Sequence, residues 1–157
     1  MNQLKILTHK EKAEVTNKLK IRFGINEIPG ILVRWGAERI YLFTGSFTEK
    51  DIRKTEQIAF IERIGIYFAK IVKDEIRLSI EGTQILKDQI TKNIFELNDE
   101  QAKQWMQGEE LNIQTGKKGF LVMKNRDDFL GCGKASELKI GNFIPKNRRL
   151  KSKDIIK

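Results

Sequence analysis

Apolar positions recur along this chain at spacings that change several times, and each change marks an expected element. In "THKEKAEVTNKLKIRFG", residues 8–24, Val15, Leu19 and Phe23 repeat four apart, which places them on one face of a helix. Thr8 and Glu11 stand three apart as a capping box at its start, and Gly24 is placed to stop it. Two apolar runs rich in β-branched and aromatic residues follow, "GILVRW" and "ERIYLFTG", joined at Gly36 and Ala37 as in a hairpin. Helical spacing returns in "FTEKDIRKTEQIAFIERIG", with Thr48 as N-cap, Asp51 at its third position, and Ile52, Ile58 and Ile61 inward. "IGIYFAKIV" and "EIRLSI" then read as strands around a tight turn at Lys73 and Asp74, and a short helix is expected over 81–88.

Near Ile90 the pattern becomes finer. "NIFEL" is a short strand, and "NDEQAKQWMQG" a short helix with Asn98 and Gln101 as its capping pair and Gly108 as its stop. Trp105 and Met106 on that helix are expected to pack inward. Beyond it come "ELNI", a "TGKKG" turn, "GFLVMK", an "NRDD" turn and "FLGCGKAS", then a tail from Asn142. Strands this short, punctuated by Gly and Asn, predict a small barrel or sandwich and not a parallel sheet. The expected organisation is α+β: a mixed α/β domain over 1–89 followed by a small β-barrel over 90–157.

Charge adds a direction to this picture. The 157 residues carry 30 Lys and Arg against 21 Asp and Glu, a net charge of +9. Residues 117–157 hold twelve basic and four acidic residues, so +8 of that surplus lies at one end, whereas residues 1–90 hold sixteen against twelve, or +4. A basic surplus gathered in this way reads as a footprint for phosphate, or as a solvated Lys-rich surface. No apolar run approaches the length that spans a bilayer, and "MNQLKILTHKEK" turns charged within a few residues, as expected of a cytoplasmic protein with no membrane association.

The single cysteine, Cys132, stands between Gly131 and Gly133 in a strand-like run, and the single histidine, His9, stands in the first helix. A thiol nucleophile needs a nearby base, and nothing in the pattern joins these two. Cys132 is expected as a small buried apolar residue, with no metal or other cofactor in the protein. The flanking glycines suit a bulge or the close approach of another backbone, from a neighbouring strand or a nucleic acid.

"FLGCGKASELKIGNFIPKNRRL" resembles the end of a PUA domain, an RNA-binding module, and in particular the C-terminal PUA-like domain of the RsmF-type rRNA cytosine methyltransferases. The matching positions are Leu130, Gly131, Gly133 and Lys134, then Asn142, Pro145, Lys146 and Arg149; Gly141 stands where the family usually has a lysine, with Lys139 two positions earlier. In layout, with Gly65, Phe68 and Lys70 as weaker markers, the chain is similar to the small Nip-type ribosome-biogenesis factors, which pair a pre-PUA α/β domain with a PUA domain. The resemblance implies RNA binding without the methyltransferase's catalytic part. The partner expected is structured rRNA or tRNA, alongside an RNA-modifying enzyme or a pre-ribosomal protein. The alternative is a detached specificity module that docks on a methyltransferase and touches RNA weakly.

The residues expected to meet RNA are Lys134, Lys139, Lys146, Arg148, Arg149 and Lys151 as phosphate partners, and Asn142 as a reader of a base edge or ribose hydroxyl. Lys117 and Lys118 in the "TGKKG" turn are a second contact or a plain solvated turn. Phe143 between the basic residues is a core residue or a stacking platform.

Overall fold

The computed structural model describes residues 4–44 and 65–151. The helix expected over 47–65, with Ile52, Ile58 and Ile61, therefore lies outside the described residues. The chain begins with strand β1 (Leu4–Ile6) and helix α1 (His9–Phe23). Thr8 caps α1 reciprocally: its hydroxyl accepts from the Glu11 N–H at 3.1 Å, and its own N–H donates to Glu11 Oε1 at 3.0 Å. Gly24 ends the helix at φ 85°, a left-handed conformation that favours glycine. Strands β2 (Ile31–Trp35), β3 (Arg39–Phe43), β4 (Ile66–Val72) and β5 (Glu75–Leu78) continue as an antiparallel meander, in the sheet order β1-β2-β3-β4-β5. The β4–β5 turn uses Lys73 and Asp74 at φ 49° and 66°, the positive pair that a two-residue hairpin turn demands.

One face of this sheet offers Leu32, Ile40, Leu42, Phe68, Ala69, Ile76 and Leu78 to the apolar stripe of α1, and all are buried. A bulge where Ile40 pairs with Ala69 but Tyr41 with Tyr67 turns both Phe68 and Ala69 inward. The other face carries Arg39, Tyr41, Tyr67, Lys70 and Arg77.

Helix α2 (Ile80–Ile85) follows at once, with Ser79 accepting from the Gly82 N–H at 3.0 Å, and a 3₁₀ turn covers Lys87–Gln89. The expected helix thus starts one residue earlier and splits in two. The second sheet is β6 (Ile94–Glu96), β7 (Gly119–Asn125), β8 (Asp128–Ala135) and β9 (Ile140–Gly141), in that order. Between β6 and β7 lies helix α3 (Asp99–Met106), capped by Asn98 and Gln101 as the sequence predicts.

Two expectations are corrected here. β6 and β7 pair parallel, because α3 supplies the crossover that a parallel pair requires. "ELNI" contributes only a bridge from Leu111 to Ile140. The result is a curled half-barrel with β6 and β9 at its edges and no closure among the described residues.

A single apolar cluster runs across both sheets. Phe120, Val122, Phe129 and Cys132 from β7 and β8 pack with Val15, Leu19, Phe23 and the inner face of the first sheet. Arg22 reinforces the junction: its Nε and Nη2 donate to the carbonyls of Phe120 and Lys118, each at 2.8 Å. A second cluster, around fully buried Trp105, lies between α3 and the other side of β7 and β8.

Candidate nucleic-acid interface

The paired glycines find their use inside the protein. A Cβ on Gly131 would stand 3.3 Å from Ile80 Cγ1, and its N–H donates to the buried Thr83 hydroxyl at 3.1 Å. A Cβ on Gly133 would meet Ile140 Cγ2 at 2.5 Å and the Trp105 ring at 2.6 Å. The glycines therefore let β8 touch α2 on one side and Trp105 on the other. Cys132 between them is buried, and that burial pushes its thiol up to about 12. It is neutral at ordinary pH, while His9 is exposed on α1.

The residues expected to meet RNA divide into two groups. Lys117, Lys118 and Lys146 are exposed, and Lys146 opens the 3₁₀ turn Lys146–Arg148 behind Pro145. Lys134, Lys139 and Arg148 are exposed too, but each has a carboxylate partner: Glu75 at 3.6 Å, Glu110 at 3.0 Å, and Glu81 respectively. Pairs this exposed are weak and exchange readily for phosphate. Lys151 is also exposed.

Asn142 and Arg149 are occupied differently. The Asn142 amide donates to the carbonyls of Trp105 at 2.8 Å and Glu109 at 3.0 Å, and its oxygen accepts from the Ile144 N–H at 2.8 Å. It ties the end of α3 to the chain after β9, which leaves its amide hydrogens unavailable to a base. Arg149 lies over Gly108, and its Nε donates to the Ile144 carbonyl at 2.9 Å. Both are half-buried brackets of the C-terminal segment.

Phe143 is 38% exposed, so the core role fails for it. Its ring meets Phe120 edge-on at 6.0 Å between centroids, and the Arg77 guanidinium lies over it at 4.0 Å. Phe143 stands at the mouth of a cleft of about 690 Å³ between the two sheets. One wall is the outer face of the first sheet, with Arg39, Tyr67, Lys70 and Arg77; the other is the segment from Phe143 to Arg148. None of these first-sheet residues was expected from sequence. Their only signal was alternation of aromatic and basic positions within the strands, which by itself reads as a solvated face.

These elements make a small β-domain: a half-barrel with a short helix against it, a Leu-Gly-x-Gly-Lys strand and a basic C-terminal segment with exposed cations. Residues 92–150 match the family model of the methyltransferase RsmF PUA domain, so this part of the chain is a PUA domain of the RsmF type. A PUA domain points to RNA as the partner. No curated protein matches the chain. Among the described residues no helix is long and apolar enough to cross a membrane.

Proposed function

We propose that this protein binds structured rRNA or tRNA as a non-catalytic factor in ribosome biogenesis or RNA modification, in the cytoplasm. In this reading residues 90–157 are the RNA-binding domain and residues 1–89 the domain that supports it. The observation that carries the reading is the PUA match over 92–150, which includes the exposed Lys117, Lys118 and Lys146. A neutral buried thiol at Cys132, the residue best placed to suggest covalent chemistry, supports the non-catalytic part.

The mechanism asked of these side chains is electrostatic. Each cation that neutralises a phosphate releases counterions, and three such contacts contribute roughly −2 to the slope of log K against log salt on single-stranded RNA. Among the described residues the ammonium groups of Lys117, Lys118 and Lys146 make no hydrogen bond or ion pair, so replacing them tests binding with little cost to the fold. The experiment is a fluorescence titration with tRNA and an rRNA fragment at two salt concentrations, on wild type and on K117E/K118E/K146E. Salt-dependent binding that weakens in the variant, with a shallower slope, is expected. Absence of RNA binding by the wild type at low salt would overturn the reading and favour a protein dock.

A further inference from the structure

The outer face of the first sheet holds an arrangement that lies wholly outside residues 92–150. Arg39 is the register partner of Lys70 across β3 and β4, and Lys70 is the register partner of Arg77 across β4 and β5. Like charges directly opposite one another on one sheet face repel, so this row works against the fold. Among the described residues only Lys70 has a carboxylate partner, the exposed Glu38 at 3.7 Å, and no carboxylate pairs with Arg39 or Arg77. Neighbouring strands are about 4.8 Å apart, so the row spans roughly 10 Å, the reach of about two or three successive phosphates of one strand.

The row is also one wall of the 690 Å³ cleft, and the wall continues into flat groups. The Arg77 guanidinium covers the Phe143 ring at 4.0 Å, and Tyr67 is half-buried against Tyr41 at 5.6 Å between centroids. Lys134 stands over Phe120 at 5.5 Å just beyond, so the track reaches β8. Glu81 is the one carboxylate lining the cleft among the described residues, and Arg148 pairs with it. Cations in line beside stackable planes are what a single strand needs: phosphates for the row, bases for the rings and the guanidinium. A duplex keeps its bases stacked on each other and has no use for the planes.

We infer that the cleft between the two sheets binds single-stranded RNA, with Arg39, Lys70 and Arg77 holding its phosphates and Arg77 on Phe143 and Tyr67 receiving its bases. This rests on the RNA-binding reading above and adds a single-strand site to it, contributed largely by the first sheet. RNA that is partly unpaired would lie across the protein, its structured part on the PUA face and its open strand in the cleft.

The test is a fluorescence-anisotropy titration of the full chain with a labelled oligouridine 12-mer and a labelled hairpin. Wild type, R39Q/K70Q and K117E/K118E/K146E are compared, with polyglutamate as a competitor. R39Q/K70Q is expected to lose about tenfold or more in affinity for the single strand and to flatten its salt slope by about 1.4, the share of two phosphates, with hairpin binding nearly unchanged. Its melting temperature is expected to hold or rise, since the row repels itself; should it fall, Arg39→Gln alone, at an exposed side chain with no carboxylate partner among the described residues, carries the same comparison. Single-strand affinity unchanged in the Arg39/Lys70 variant but lost in the lysine triple variant would overturn the cleft and leave the PUA reading standing. No RNA binding by wild type would overturn both. Polyglutamate displacing the single strand at lower concentration than unlabelled RNA would overturn the cleft in favour of an acidic peptide.

Discussion

Replacing Gly133 by alanine decides what the glycines around Cys132 are for. The added methyl would stand 2.5 Å from Ile140 Cγ2, 2.6 Å from the Trp105 ring and 3.1 Å from the Gly141 carbonyl oxygen. Carbon atoms pack best at about 3.5–4.0 Å, so two neighbours must each withdraw by roughly 1 Å. Trp105 has nowhere to go: it is fully buried, and its indole N–H donates to the Leu130 carbonyl at 2.9 Å. Ile140 is fully buried as well and holds Leu111 through a reciprocal pair of backbone bonds. Overpacking of this kind costs about 1–3 kcal/mol. Taking about 2 kcal/mol, the melting temperature of a chain this size falls by roughly 4–8 °C. Circular-dichroism melts of wild type and Gly133→Ala read the shift, and an RNA titration well below the melt reads binding. A lower Tm is expected, with RNA affinity little changed. An unchanged Tm together with weakened RNA binding would refute this expectation and return Gly133 to the nucleic-acid surface.

Asn142→Ala removes two donated bonds and one accepted bond, leaving the Trp105 and Glu109 carbonyls to find other partners. At about 1 kcal/mol for each bond, the expected loss is roughly 2–3 kcal/mol, checked by urea denaturation. The Glu11 carboxyl is held down at about 2, first by the Thr8 backbone N–H and then by Lys5. A depressed folded value stabilises above the ordinary value of 4.5 and is lost as pH falls from there towards 2. Glu11→Gln should therefore flatten the acid limb of a Tm-against-pH profile and leave its slope above pH 6 unaltered. Cys132, raised by burial from 9.0 to about 12, contributes stability that is complete below pH 9 and fades as pH rises towards 12. Its thiol should resist iodoacetamide at neutral pH in the native protein and react once urea unfolds it, as followed by intact mass.

What the sequence made legible is what local contacts decide. Thr8 with Glu11 and Asn98 with Gln101 are bonded within four residues, so their helices start where the pattern says. Lys73 and Asp74 turn a hairpin for equally local reasons. The resemblance of 130–149 to a PUA end rests on a contiguous stretch and is matched over 92–150. The misses are all of longer range. The three residues of β6 carry too little pattern to announce a parallel partner that α3 brings round. Asn142 and Arg149 look like free polar groups in a string of letters, yet distant carbonyls claim them. Arg39, Lys70 and Arg77 are 31 and 7 positions apart, and only the pairing register aligns them.

The apolar cluster shared between the sheets bears on how portable the C-terminal part is. A polypeptide opened at residue 90 would keep Trp105 but lose Ile80 from its cluster, and would strip Phe120, Val122, Phe129 and Cys132 of the side chains that cover them. It would also orphan the carbonyls of Lys118 and Phe120 that Arg22 now serves. Grafted alone onto another protein, the segment would offer that sticky face to whatever met it first. A graft that is to stay monodisperse must bring α1 and the first sheet with it, which makes the whole chain the smallest transferable unit.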